Sequence, residues 1–194
     1  MSIWCVGRNY AEHAKELGNA VPTQPLFFLK SSSTLVHGNS LPYPTHVLSL
    51  HYELEMAFRF DEKLRLSHVA LALDLTDRQR QNDLKAKGEP WTLAKSFKNS
   101  CPISPWIPFD SNEIYTFELQ INGQTKQIGD QNLMIFKWAE LVSFLQLHFP
   151  ITEGDILLSG TPSGVGSIQK GDILKSVLKN QKQQILIEWT LKIE

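Results

Sequence analysis

The run His51-Tyr52-Glu53-Leu54-Glu55-Met56-Ala57-Phe58 decides the fold, because it places two acids two residues apart in an otherwise strand-like stretch. Side chains on a strand alternate between its faces, so Glu53 and Glu55 are expected to point the same way, roughly 7 Å apart. Leu54 and Met56 then point into the opposite layer. Either the two acids share a bound cation, because carboxylates this close repel each other, or they line the solvent face of an edge strand.

A third acid lies in the apolar stretch 71–76, which reads Leu-Ala-Leu-Asp-Leu-Thr. If Asp74 is buried there, its charge must be paired or bind a metal. With Glu53 and Glu55 it would supply three oxygen ligands without Cys or His, a donor set that suits Mg²⁺ or Mn²⁺. The cation interpretation therefore predicts one divalent ion held by Glu53, Glu55 and Asp74.

The composition is that of an ordinary globular protein. The chain has 194 residues, enough for one sizeable core, and we predict a single domain over residues 1–194. With 19 Lys and Arg against 20 Asp and Glu, no charge imbalance favours nucleic acid or an acidic membrane. Cys5 and Cys101 have no metal-binding spacing and are expected to be small buried hydrophobes. No apolar run is long enough to span a bilayer, and we predict a cytoplasmic protein.

Strand patterns dominate the chain. Short apolar or alternating runs predict strands at residues 3–6, 26–30, 51–58, 69–73, 114–121, 124–128, 156–159 and 184–192. The run 26–30 is continuously apolar up to its final lysine and predicts a buried strand, and Asn122-Gly123 predicts a hairpin turn. Helical signals are fewer and cover residues 9–17, 77–87 and 133–147. This balance indicates an α+β, mainly β domain.

Three further features each have a structural and a functional interpretation. His13 and Glu16 are three residues apart, so on a helix they form either a surface pair or a catalytic pair. Lys95 lies in an apolar and aromatic run, where a lysine either extends its charge to water or pairs with an anion. The loop 160–166 has three glycines, which form a tight turn or let backbone amides approach an anion.

Taken together, these stretches resemble the fumarylacetoacetate hydrolase family, most closely its small single-domain acylpyruvate hydrolase branch. The matching segments follow the family's order over nearly the whole chain: CVGRNYAEHAKELG, PLFFLK, HYELE, ALDLTDRQRQ, GEPWTLAKSFKNSCPIS, INGQTKQ and GDILLSGTPSGVG. The resemblance implies a mixed β-sandwich roll and a homodimer. It assigns Mg²⁺ or Mn²⁺ to Glu53, Glu55 and Asp74, a water-activating dyad to His13 and Glu16, and the substrate pocket to Arg78, Gln81, Lys95 and Thr161.

The sequence departs from the family pattern in two places. Family members usually place a short helix and a Gly-Tyr pair before the metal aspartate, whereas residues 61–70 are too few to hold them. This puts a pocket wall or a dimer contact in question. The family's Ala-Arg-Asp after that aspartate reads Asp77-Arg78-Gln79 here, so an acid has moved by two positions. No proposed ligand is lost.

The activity implied by the resemblance is metal-dependent cleavage of the C3–C4 bond of acylpyruvates (2,4-dioxo acids) to pyruvate and a carboxylic acid. His13 would take a proton from water, Glu16 would orient His13, and Lys95 would neutralise the carboxylate or the developing enolate. The same pocket also suits decarboxylation of oxaloacetate, and the sequence does not choose between the two. The alternatives are hydration, isomerisation or decarboxylation in the breakdown of aromatic compounds, or a non-catalytic metal-binding homologue.

Overall fold

The structure, a computed structural model, describes residues 1–16 and 18–194. Strands form most of its regular structure, and none of its described helices is long and apolar enough to cross a membrane. The helices are α1 (Ala11–Glu16), α2 (Arg78–Lys87), α3 (Thr92–Lys95) and α4 (Trp138–His148). The strands are β1 (Ser2–Gly7), β2 (Leu26–Ser31), β3 (Leu35–His37), β4 (Ser40–Leu41), β5 (Leu50–Tyr52), β6 (Leu54–Phe60), β7 (Leu66–Leu73), β8 (Thr76–Asp77), β9 (Cys101–Ile103), β10 (Ile107–Pro108), β11 (Thr116–Ile121), β12 (Gln124–Asp130), β13 (Ile156–Leu158), β14 (Gly166–Ser167), β15 (Ile173–Lys179) and β16 (Ile185–Ile193).

The strand that carries Glu55 lies inside the largest sheet. Within the described residues this sheet has the order β2-β1-β13-β6-β7-β9-β3, and β10 also pairs with β7. Strand β13 runs parallel to β1, and β6 runs antiparallel to both β13 and β7. Because β6 has a hydrogen-bonded neighbour on each side, its side chains can reach solvent only across the two sheet faces.

A second sheet, of order β12-β11-β15-β16-β4, packs against one face of β6. A third, small sheet has the order β14-β5-β8. Leu54 and Met56 belong to the same buried cluster as Leu178 of the second sheet. Ala57 belongs to a different cluster, so the opposite face of β6 carries Ala57 and Glu55. The predicted alternation and the α+β, mainly β class are both confirmed.

Helix α2 begins and ends where its sequence signals place it. The Asp77 carboxylate accepts a hydrogen bond from the Arg80 N–H at 3.3 Å, so the acid that departs from the family pattern is the N-cap. Gly88 closes the helix with a φ of 69°. The helix predicted over 9–17 is the shorter α1, and its predicted last residue, Leu17, lies outside the described residues.

Two hairpins connect consecutive strands, and the first follows the predicted Asn122-Gly123 turn. Asn122 and Gly123 have φ of 51° and 78°, as a two-residue turn with two left-handed positions requires. Strand β6 runs into β7 through residues 61–65, where the Asp61 carboxylate accepts hydrogen bonds from the Lys63 and Arg65 N–H groups at 2.9 and 2.8 Å. The chain therefore has no helix between the two strands, as the short sequence predicted.

The prediction that residues 26–30 form a buried strand is wrong. Strand β2 pairs with β1 at the edge of the large sheet, and Leu26 and Leu29 are exposed. Lys30 is the residue of this run that is buried, at 1% exposure. An apolar run indicates that a strand is favoured in a buried position. Whether another sheet or helix packs over that strand depends on the rest of the fold.

The prediction of a helix over 133–147 is wrong at its start, because α4 begins only at Trp138. The Lys137 ammonium donates to the carbonyl oxygens of Asn132 and Met134 at 2.7 and 2.9 Å, so these carbonyls are satisfied outside a helix. The Glu140 carboxylate accepts a hydrogen bond from the Lys137 N–H at 2.8 Å and fixes the first turn.

Candidate active site

Three buried acids meet where β6 and β7 pair. Leu54 lies opposite Leu73, so the residues beside them, Glu53 and Asp74, become neighbours, and the Asp74 N–H donates to the Glu53 carbonyl at 2.8 Å. One carboxylate oxygen from each of Glu53, Glu55 and Asp74 lies within 4.8 Å of the others. All three side chains are at least 95% buried, so the solvent-facing interpretation of Glu53 and Glu55 is wrong.

Lys95 is buried among these acids rather than extended to water. Its ammonium donates to Glu53 Oε2 at 2.8 Å, to Asp74 Oδ2 at 2.6 Å and to Thr76 Oγ1 at 2.7 Å. Arg78, at the start of α2, contacts the other Glu53 oxygen through Nη2. The short helix α3 therefore directs Lys95 into the site, and Glu53 is held by two cations.

The surroundings shift the pKa values of the two glutamates in opposite directions. Burial raises the pKa of Glu53, but the charges of Lys95 and Arg78 outweigh burial and hold it well below its ordinary value. Burial also raises the pKa of Glu55, and repulsion from Asp74 and Glu53 raises it further. The charge of Lys95 and the Gly160 N–H, which donates to Glu55 Oε2 at 2.7 Å, lower this pKa but offset only part of the rise.

The three acids fit a hard divalent cation. Their donor atoms are all carboxylate oxygens, which Mg²⁺ and Mn²⁺ prefer. Glu55 forms no ion pair with a described side chain, so its negative charge lacks the compensation that Glu53 receives. A divalent cation bound by Glu53, Glu55 and Asp74 would supply that compensation, and these are the residues that would hold it.

His13 lines the same pocket as the three acids and is paired with Glu16. His13 Nδ1 lies 3.2 Å from Glu16 Oε2, and His13 is 95% buried in the wall of the same pocket. The Gly164 N–H donates to both Glu16 oxygens, at 3.1 and 3.3 Å. The contact to Nδ1 leaves Nε2 of His13 as the ring atom available to a ligand. The glycine loop thus does bring backbone amides to anions, namely the carboxylates of Glu16 and Glu55.

One pocket joins these groups. Its floor is formed by buried residues and its rim by half-buried ones, and none of residues 61–70 lines it. Gln81 accepts a hydrogen bond from Arg78 Nη1 at 2.6 Å, and Thr161 Oγ1 donates to the Leu54 carbonyl at 2.8 Å. The structure thus brings eight of the nine predicted residues to the pocket lining, with Glu16 behind His13: His13, Glu53, Glu55, Asp74, Arg78, Gln81, Lys95 and Thr161.

The sequence also matches a known protein family. The model of the fumarylacetoacetate (FAA) hydrolase C-terminal family matches residues 2–185. The chain belongs to the fumarylacetoacetate hydrolase family. The match spans every residue of the proposed site.

Relatives within the fumarylacetoacetate hydrolase family include enzymes that act on oxaloacetate. The chain is 40% identical over 188 residues to a mitochondrial oxaloacetate decarboxylase of Dictyostelium discoideum, covering 89% of this chain and 86% of that protein. It is 40% identical over 187 residues to an oxaloacetate tautomerase of Escherichia coli (strain K12), covering 89% and 85%. The fold matches fumarylpyruvate hydrolase from Pseudomonas aeruginosa in complex with Mn²⁺ and pyruvate, with a TM-score of 0.90, 29% identity, and coverage of 100% of this chain and 89% of that one.

Two residues that hold this family member's site together were not predicted from sequence. Lys30 Nζ forms an ion pair with Asp74 Oδ1 at 2.9 Å and donates hydrogen bonds to the Leu75 and Ser100 carbonyls at 3.0 Å each. Gln127 accepts a hydrogen bond from the Leu54 N–H at 2.9 Å. Its amide also donates to Thr161 Oγ1 at 2.8 Å. A lysine that ends an apolar run was the available signal for Lys30, whereas nothing in the alternating run 124–128 marks Gln127.

Proposed function

We propose that this chain is a Mg²⁺- or Mn²⁺-dependent enzyme that acts on 2-oxo acids with a second carbonyl group at C4. One observation carries the proposal: three buried carboxylates and a buried lysine line the same pocket as a histidine that is paired with a carboxylate. The names of the relatives support it, because oxaloacetate and fumarylpyruvate both contain this arrangement of carbonyl groups.

Each residue has a role that its position allows. A divalent cation held by Glu53, Glu55 and Asp74 would supply positive charge beside the 2-oxo carboxylate. Lys95 adds a second, fixed positive charge at the same end, which favours binding of an acid and the build-up of negative charge on the C2 oxygen. Arg78 holds its place in the pocket lining through its contacts with Glu53 and Gln81. Thr161 holds its place through its hydrogen bond to the Leu54 carbonyl.

For an acylpyruvate, His13 Nε2 would take a proton from water, and the resulting hydroxide would attack the C4 carbonyl carbon. The C3–C4 bond then breaks, its electron pair passes through C3 to the C2 oxygen, and a carboxylic acid and the enolate of pyruvate result. Glu16 would hold the Nδ1 proton of His13 and stabilise the charged ring. Gly164 keeps Glu16 in place for this role.

Oxaloacetate is the second candidate substrate, and two relatives that are 40% identical favour it. Its tautomerisation requires removal of a C3 proton, for which His13 is the candidate base. Its decarboxylation requires stabilisation of the enolate but no attacking water. The metal and Lys95 end of the pocket would serve both reactions, whereas the His13–Glu16 pair would matter most where a proton is moved.

The proposal is tested by incubating the Mg²⁺-loaded protein with acetylpyruvate and with oxaloacetate, and by following loss of each spectroscopically. We expect turnover of at least one substrate, its loss on addition of a chelator, and its loss in Asp74→Asn together with cation binding. Tight cation binding without turnover of either substrate would favour a non-catalytic metal-binding homologue. Turnover that survives the chelator would contradict the metal-dependent mechanism.

The homodimer implied by the family resemblance also remains a proposal. The exposed Leu26 and Leu29 on edge strand β2 support it, because edge strands with apolar side chains are commonly covered by a partner. Light scattering should give about twice the chain mass of 22.1 kDa, and a monomer mass would contradict the proposal. The cytoplasmic location stays a prediction.

A further inference from the structure

Two basic side chains at the pocket rim have no part in the chemistry described above. Arg8 and Lys85 line the pocket beside Asn19 and Trp91, and all four residues are half-buried. Arg8 follows β1 with a φ of 61°, which is uncommon for a residue other than glycine. Lys85 lies in the last turn of α2, so only the tertiary structure brings the two charges to one rim.

These rim charges are not neutralised by a described acid. Arg8 forms no hydrogen bond or ion pair within the described residues, and Lys85 Nζ donates to the neutral Asn19 Oδ1 at 3.3 Å. Burial lowers the pKa of Lys85, and repulsion from Arg8 and then Arg78 lowers it further. The charges of Arg8, Arg78 and Lys85 therefore act on one another, and Arg78 alone of the three is paired with an acid, Glu53.

A rim of this kind is poorly suited to an uncharged acyl chain. A bound apolar group would displace water from Arg8 and Lys85 and give them no partner in return, which is unfavourable for a charged group. An anion at the same place would be held by two charge-assisted contacts. Under the proposed function, the floor of the pocket binds one carboxylate through Lys95 and the cation that Glu53, Glu55 and Asp74 would hold. The unpaired charges at the rim therefore favour a second anionic group on the same ligand.

We propose that Arg8 and Lys85 bind a carboxylate at the far end of the substrate, so that the site prefers 2-oxo dicarboxylic acids over 2-oxo monocarboxylic acids. The inference rests on the proposed function, which places the 2-oxo acid end of the ligand at the floor. It adds the substrate class, because acetylpyruvate lacks the second carboxylate and oxaloacetate has it.

The preference can be measured by calorimetry without turnover. 2-Oxoglutarate and 2-oxopentanoate have five carbons each and differ in one terminal group, a carboxylate against a methyl group, and neither has a carbonyl or carboxyl group at C4. We expect the Mg²⁺-loaded protein to bind 2-oxoglutarate roughly tenfold more tightly or better, because charged hydrogen bonds contribute at least this much where they are partly shielded from water. Oxalate, which reaches only the floor, serves as the reference ligand.

Lys85→Gln and Arg8→Gln should each remove most of this preference and leave the oxalate affinity within about twofold. Lys87→Gln is the matched control, because Lys87 lies on the same helix, is exposed and does not line the pocket. It should retain the full preference. Circular dichroism of each variant establishes that the fold is intact.

The outcomes separate this inference from the proposed function. Equal affinity of the unaltered protein for the two five-carbon acids, or a preference that survives in both Lys85→Gln and Arg8→Gln, would overturn the carboxylate subsite while turnover of acylpyruvates could still stand. A preference that Lys85→Gln and Arg8→Gln abolish, in a protein that turns over neither oxaloacetate nor acetylpyruvate, would support the subsite and overturn the proposed function.

Discussion

Glu55 has the least compensated charge of the three acids. Burial, and then repulsion from Asp74 and Glu53, raises its pKa well above the ordinary 4.5. A group whose pKa is higher in the folded state contributes stability that is fully present below its unfolded pKa and is lost as the pH rises through its folded pKa. Without a divalent cation, the protein should therefore lose stability as the pH rises above about 4.5 toward the raised pKa of Glu55.

Glu55→Gln should raise the melting temperature measured in chelator at pH 8, and should abolish the rise that Mg²⁺ causes. For the unaltered protein we expect that rise to be roughly 5–10 °C, since ligand at a hundred times its Kd adds about 2.7 kcal/mol and each kcal/mol shifts Tm by about 2–4 °C at this size. Glu62→Gln, an exposed acid in the β6–β7 turn, is the control and should behave like the unaltered protein. A full Mg²⁺-dependent rise in Glu55→Gln would exclude Glu55 as a ligand.

His13 is expected to matter more for hydrolysis than for decarboxylation, because only hydrolysis needs an activated water. His13→Gln should lower acylpyruvate hydrolysis roughly a hundredfold to ten-thousandfold, the usual effect of losing a positioned base. It should keep a larger fraction of oxaloacetate decarboxylation and an unchanged oxalate affinity. Glu12→Gln, on the exposed side of α1 where Glu12 pairs with Lys15, should leave both rates unchanged. Proportional loss of both activities in His13→Gln would assign His13 to the shared enolate step.

At the scale of elements, the loop after β13 joins two walls of the pocket through Gly160 and Gly164. Gly164 has a φ of 94°, and a Cβ at this position would lie 2.1 Å from the Lys126 carbonyl oxygen of β12. Its N–H also holds Glu16. The absence of a side chain therefore allows the loop, the hairpin β11–β12 and helix α1 to meet.

Gly164→Ala should destabilise the protein by about 2–4 kcal/mol, the sum of left-handed strain and a steric overlap that must be relieved. Gly171→Ala is a matched control, because Gly171 has a φ of 96° but no atom within 4 Å of the added Cβ. It should cost only about 1 kcal/mol. Urea denaturation measures both. Gly164→Ala should also slow hydrolysis, and equal losses of stability in the two variants would show that the contact with Lys126 is not tight.

At the scale of the whole molecule, the two thiols report on opening of the core. Cys5 on β1 and Cys101 on β9 are fully buried in one cluster, as predicted for small hydrophobes. Burial raises the pKa of Cys101 to about 12, and burial followed by repulsion from Asp74 raises that of Cys5. The reactive thiolate is therefore nearly absent from the folded protein at pH 8.

An aromatic disulfide reagent at pH 8 should label neither cysteine in the native protein and both in denaturant, where the pKa values return to about 8.5. Labelling should then proceed only through opening of the sheet, and Mg²⁺ should slow it by stabilising the closed form. Rapid labelling of one thiol in protein with a native circular dichroism spectrum would show that β1 or β9 opens separately from the rest.

The sequence by itself determined the features that depend on local periodicity and local capping. Alternation along residues 53–56 placed Glu53 and Glu55 on one face, and an apolar setting marked Asp74 as their partner. The Asn122-Gly123 turn and the limits of α2 also followed from the residues at those positions. A few neighbouring residues are enough to predict these features. The backbone φ angles and side-chain directions involved are set within a single turn or strand.

Only the tertiary structure decided which distant residues complete the site. The apolar run of β2 predicted burial, but the strand lies at an edge, and its buried residue is Lys30, which reaches a carbonyl 45 residues away at Leu75. Gln127, Arg8 and Lys85 likewise acquire their positions from the packing of separate sheets and helices. A hydrogen bond or a shared pocket between distant segments depends on the order and register of the strands, which local sequence patterns do not encode.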